Sequence, residues 1–147
     1  MKYLLLLLFV GLINFLPKEK LDYSGNWLVS GDNFENKLRL EKIEGRVNVY
    51  KFSFNGWRIS YDNLAKKNVK FFGEIENEIF VFEIKDNQAV YSDDGREYEE
   101  GWSPYNKGEE RCKIYFNFAP DLINVKTEAC SLIYGGFGVS FDGNYKK

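Results

Sequence analysis

The chain has 147 residues, with 20 Lys+Arg against 22 Asp+Glu, two Cys and no His. Its formal charge of −2, which becomes −3 once Lys2 is lost, excludes the basic face that nucleic-acid binders carry but allows a cationic partner. Without His there is no Ser-His-Asp or Cys-His arrangement, and two Cys cannot complete a zinc site, so neither nucleophilic catalysis nor a zinc, haem or copper cofactor is expected.

The chain opens with Lys2, an uncharged run from Tyr3 to Leu16, and a polar exit at Pro17-Lys18-Glu19-Lys20. A basic start, a short apolar stretch and an abrupt polar exit form the pattern of a secretory signal. The run of 14 residues reaches about 21 Å as a helix, short of the ~30 Å that a spanning helix must cross. The expectation is a signal peptide over 1–17 and a single domain over 18–147, secreted or periplasmic. No Ala-x-Ala marks a cleavage site and no Cys follows the run to accept a lipid. An uncleaved anchor is therefore the alternative, and it is the one membrane contact expected.

Beyond the leader the chain alternates. Leu38, Leu40 and Ile43 oppose Lys37, Arg39 and Glu41, and Phe80, Phe82 and Ile84 oppose Val81, Glu83 and Lys85. Cys112, Ile114, Phe116 and Phe118 oppose Lys113, Tyr115 and Asn117 in the same way. Period two with one polar face is the half-buried strand. Val47 and Val49 stand out of phase with Phe52 and Phe54. A bulge near Tyr50-Lys51 would bring both pairs inward; otherwise the valines face solvent. Turn chemistry separates the runs at Gly31-Asp32-Asn33, Gly45, Asn55-Gly56, Gly73, Asp86-Asn87 and Pro120-Asp121. Asn55-Gly56, between Phe52-Ser53-Phe54 and Trp57-Arg58-Ile59, is the strongest hairpin signal. The predicted fold is all-β, an antiparallel up-and-down barrel or strongly curled sheet of about eight to ten strands.

Residues 92–110 form the long connection, and long loops are often functional. Within it, Asp93-Asp94-Gly95-Arg96-Glu97-Tyr98-Glu99-Glu100 holds five carboxylates. The spacing departs from the calcium-loop pattern, so no metal is expected. Its negative field suits the steering of a cationic protein, with a solvated charged loop as the alternative. Trp102-Ser103-Pro104-Tyr105 adds Trp102 and Tyr105 as hot-spot candidates, unless Trp102 folds back over the core. Tyr134-Gly135-Gly136-Phe137-Gly138 lacks the Lys-Ser/Thr of a phosphate loop. It reads as a turn into a final strand over 138–145, with insertion of Tyr134 and Phe137 into a partner as the alternative.

The last hairpin can be registered from sequence. Phe118 facing Ile123 and Phe116 facing Val125, around a turn at 119–122, put apolar residues on one side. Cys112 then falls opposite Ala129. A bulge or a strand end near Glu128 would bring Cys130 within the roughly 7 Å that bridged Cα atoms require. In an oxidising compartment a structural disulfide follows.

Gly25-Asn26-Trp27 opens the first strand, after Tyr23-Ser24. Gly-x-Trp at that place, before a meander of short strands, resembles the calycin group of lipocalins, fatty-acid-binding proteins and avidin-like barrels. The resemblance implies a barrel with Trp27 as the plug of one end. In that family a basic residue late in the barrel packs over the Trp; here 138–145 contains no Arg and Lys146 and Lys147 follow. Size, secretion and Cys112/Cys130 are also similar to the small periplasmic lysozyme inhibitors. Two functions are expected in competition. One is a binder of a cationic envelope protein such as a lysozyme, acting through 92–110 and 134–138. The other is a calycin-like carrier with a small apolar ligand between Phe52, Phe54, Phe80, Phe82 and Phe116. A structural envelope protein is a third possibility, and no enzyme activity is expected.

Overall fold

The computed structural model describes residues 21–75, 81–93, 110–130 and 139–147. The alternating runs become strands: β1 (Gly25–Gly31), β2 (Phe34–Lys42), β3 (Val49–Asp62), β4 (Lys67–Ile75), β5 (Val81–Glu83), β6 (Gln88–Ser92), β7 (Lys113–Ala119), β8 (Leu122–Glu128) and β9 (Gly143–Tyr145). Every pairing between them is antiparallel, and no helix occurs among the described residues. One sheet runs β1-β2-β3-β4 with β5 also on β3, and the other runs β6-β7-β8-β9. Two isolated bridges stand at the sheet margins. Leu28 and Lys146 exchange backbone bonds of 2.8 and 2.9 Å, joining β1 to the end of β9. Lys85 and Gln88 exchange bonds of 2.8 Å across the β5–β6 turn. That turn is Asp86-Asn87, where sequence expects one, and both residues take the positive φ of a tight two-residue hairpin.

The inward faces meet in one aromatic core. Leu38, Leu40, Phe52 and Phe54 share it with Trp27, Phe82, Ile114, Phe116, Phe118, Ile123 and Val125. The ring centroid of Phe116 lies 4.6 Å from Phe82 and 5.2 Å from Phe52. It lies 6.2 Å from both Phe54 and Phe118. Pairs at such distances contribute about 0.5–1.5 kcal/mol each beyond the area they bury. The alternations at 38–40, 82–84 and 112–118 therefore mark the core as expected, and Ile43 stays half-buried just past β2.

Three expectations are corrected, and the turn expected at Gly73 falls with the first of them, since Gly73 lies inside β4 opposite Gly56. Asn55-Gly56 is no turn: both residues lie inside the 14-residue β3, paired with Lys37 and Asn36 on one side and Glu74 and Gly73 on the other. Two-sided pairing overrides the local turn preference, and Gly56 is needed for close approach instead. A Cβ there would collide with Asn36 Oδ1 and come 2.8 Å from the Glu35 carbonyl oxygen. Asn36 cannot easily yield, since its Nδ2 donates to the Ser140 carbonyl at 2.7 Å. Gly56→Ala is thus expected to cost about 1–3 kcal/mol, the range for overpacking, measured by urea unfolding. A change within about 0.5 kcal/mol, the usual surface value, would mean that Asn36 swings aside freely.

The second correction concerns the bulge near Tyr50-Lys51, which is absent. The β2–β3 register runs unbroken from Lys42 opposite Tyr50 to Phe34 opposite Arg58. Tyr50 takes the inward place beside Phe52 and Phe54. Val47 is 65% exposed in the β2–β3 connection, while Val49 is buried opposite Glu83. Third, the final strand is shorter than 138–145. Only Gly143–Tyr145 pairs as β9, although Val139 and Phe141 are buried ahead of it.

Candidate binding surfaces

The β7–β8 hairpin positions two ends of the fold. Near its turn, Tyr23 packs 4.7 Å from Phe118 and 6.3 Å from Trp27, centroid to centroid. Trp27 is fully buried and its indole N–H donates to the Tyr23 carbonyl at 2.9 Å. Lys147 Nζ sits 5.2 Å from the Trp27 ring. At the open end the predicted register holds, with Phe118 opposite Ile123, Phe116 opposite Val125 and Lys113 opposite Glu128. Ala129, at φ 54°, ends β8 and turns Cys130 back. Cys112 and Cys130 are disulfide-bonded, their Cα atoms 4.4 Å apart.

Both loops singled out by sequence leave from this corner. The Asp93 N–H donates to the Cys112 carbonyl at 3.0 Å, and the Arg111 guanidinium donates to the Asp93 carbonyl at 3.3 Å. The two ends of 94–109 are thereby tied together. Segment 131–138 starts at Cys130, bonded to the same Cys112, and ends at Val139, beside the Ser140 that Asn36 holds. Asp93 is fully buried, its carboxylate accepting a hydrogen bond from the Tyr91 hydroxyl at 3.0 Å. It is a post of the corner and has no face toward solvent. Asp94, Glu97, Glu99, Glu100, Trp102, Tyr105, Tyr134 and Phe137 lie outside the described residues, as does Phe80.

Near the same end, Phe34, Asn36, Arg58, Ile59, Val139 and Asp142 line a cleft of about 370 Å³. Tyr145 is buried and donates to the Phe141 carbonyl at 2.7 Å. Burial first, and then the charge of Asp142, push its phenol well above the ordinary value. The fold therefore favours the neutral phenol. Its contribution is complete below the unfolded value of about 10 and is lost as pH rises past it. Tyr145→Phe is expected to make the decline in stability above pH 10 shallower by up to about 1.4 kcal/mol per pH unit. Urea unfolding across that range reads the slope, and identical slopes would uncouple Tyr145 ionisation from folding.

A different surface lies on the outside of β2, β3 and β4. Here Glu35 pairs with Trp57, Trp57 with Phe72, and Asn55 with Glu74. With the backbone of Gly56 and Gly73 between them, these residues line a recess of about 360 Å³. Phe72 is 70% exposed, and Tyr61 on β3 and Leu64 in the β3–β4 connection are also exposed. Lys70 Nζ lies 4.1 Å from the Trp57 ring centroid and 5.2 Å from that of Phe72. Neither Glu35 nor Glu74 makes an ion pair among the described residues. Sequence reasoning misses this surface because a turn at Asn55-Gly56 would detach Trp57 from the strand of Phe52 and Phe54. Read as one strand, the odd position of Trp57 sends it outward, and that parity is the signal.

Among the described residues no group of three or more His, Cys, Asp or Glu is placed to hold a metal ion. No family model, no curated protein and no solved structure matches the chain.

Proposed function

We propose that this chain is a secreted, non-catalytic binding protein whose partner is a basic envelope protein such as a lysozyme, contacted through 92–110 and 134–138. The observation that supports this is the corner at Cys112–Cys130, which gathers the roots of both segments. Holding the ends of both segments in place before binding favours affinity. The carboxylates of the first loop supply the field that steers a cationic partner. In this proposal the two sheets form one up-and-down barrel, which the marginal bridges Leu28–Lys146 and Lys85–Gln88 support.

Surface plasmon resonance with lysozyme, at low and high salt, tests the proposal. The association rate is expected to fall by about tenfold or more as screening shortens the reach of the charges. Absent binding, or a rate indifferent to salt, would count against it.

A calycin-like carrier is the second reading, and Lys147 over Trp27 favours it, since that family sets a basic residue over its Trp. The interior weighs the other way. Phe52, Phe82 and Phe116, three of the expected lining residues, stand 4.6–5.5 Å from one another and occupy the space a ligand would take.

A further inference from the structure

We infer that the recess bounded by Glu35, Trp57, Phe72 and Glu74 receives a lysine or arginine side chain of a basic protein partner. The inference rests on the binding role proposed above and adds a contact on the outer face of β2, β3 and β4.

Three observations lead to a cation. The recess lining carries two carboxylates and no basic residue, and neither carboxylate is spent on an ion pair among the described residues. Its two rings already hold an ammonium: Lys70 Nζ lies within 4.1 Å of one centroid and 5.2 Å of the other. Aromatic faces attract such a group through their negative quadrupole, and Lys70 shows that this pair has the geometry to do so. Finally, Phe72 stays largely exposed beside Trp57, and aromatic anchors rimmed by charge have the composition of an interface hot spot. The paired strands hold the rings in place before binding, so little side-chain freedom remains to be lost.

Lys70 then acts as an internal competitor. A partner's cation would displace its ammonium from the rings and gain the two carboxylates, which Lys70 does not reach within ion-pair distance. A guanidinium suits the place well, because it can stack on Trp57 while donating to Glu35 or Glu74.

The experiment titrates the full chain with tetralysine, and separately with lysozyme, following the indole N–H resonances by heteronuclear NMR, with Trp57→Phe to assign its peak. Tetralysine is expected to shift the Trp57 indole and leave that of buried Trp27 in place. Glu35→Gln with Glu74→Gln should weaken the response at least tenfold, while Lys70→Met should strengthen it. Far-ultraviolet circular dichroism of each variant verifies the fold. A Trp57 indole indifferent to tetralysine overturns the inference. So does lysozyme binding of unchanged affinity in the double glutamine variant, a result that leaves the loop-based role standing. If lysozyme fails to bind while tetralysine still shifts Trp57 in a carboxylate-dependent way, the recess is upheld and the lysozyme proposal falls. Self-association of the chain that Phe72→Ala abolishes would make a second copy the occupant and overturn the inference.

Discussion

Phe116→Ala is expected to remove about 3–5 kcal/mol of stability, the range for deleting a buried aromatic ring. Phe116 is the hub of the interior, with Phe52, Phe54, Phe82 and Phe118 all within 6.2 Å of its centroid. These neighbours come from β3, β5 and β7, so the gap opens where the two sheets face each other. They are held by cross-strand pairing and cannot collapse far into it. A domain of this size has about 5–15 kcal/mol in total, so the variant should lose a large share of its folded population on mild heating. Urea unfolding measures the loss, and Phe116→Leu, which keeps most of the volume, should cost much less. A loss below about 1.5 kcal/mol, the range of a volume-conserving swap, would reveal slack around the ring. Slack there would revive the carrier reading, because an interior with room to relax can also accommodate a ligand.

Cys112→Ala with Cys130→Ala is expected to cost about 3 kcal/mol, from the entropy returned to an unfolded chain no longer closed across 18 residues. Its functional effect should exceed its stability cost. The bond ties the open end of the β7–β8 hairpin, and Cys112 also accepts the backbone bond from Asp93 at the root of 94–109. Freed from it, both loop roots can drift while the aromatic core stays in register. Lysozyme affinity should therefore fall under conditions where circular dichroism still reports a folded chain. A loss of affinity that only parallels unfolding would make the disulfide a stabilising staple with no part in presenting the loops.

Periodicity carried most of the fold. The runs at 38–40, 82–84 and 112–118 have one buried face each, because a strand that packs on a single side must alternate. The β7–β8 register and the disulfide were legible for the same reason: pairing around a short turn at Pro120-Asp121 puts Phe116, Phe118, Ile123 and Val125 on one side. The misreading at Asn55-Gly56 came from judging a turn by its two residues. The strand runs straight through both residues, with Phe52 and Phe54 inward and Trp57 outward, and the glycine answers to Asn36 across the sheet, a long-range demand that local propensity cannot express. The absent bulge has a related cause. Tyr50 shares the parity of Phe52 and Phe54 and is buried among rings with its hydroxyl 3.3 Å from Asp22, which let the strand keep one phase. The Trp57–Phe72 recess was hidden behind that same turn, whereas Asp93 looked like part of an acidic face until Tyr91 and the disulfide corner accounted for its burial.

Native mass spectrometry of the protein from its own secretory compartment tests the central claim most directly. A binding protein with a filled aromatic interior predicts the mass of the bare chain, lighter than its reduced form by the two hydrogens of one disulfide, together with a complex when lysozyme is added at low salt. A small apolar molecule retained on the chain, with no lysozyme complex, would contradict the account and make the protein a carrier.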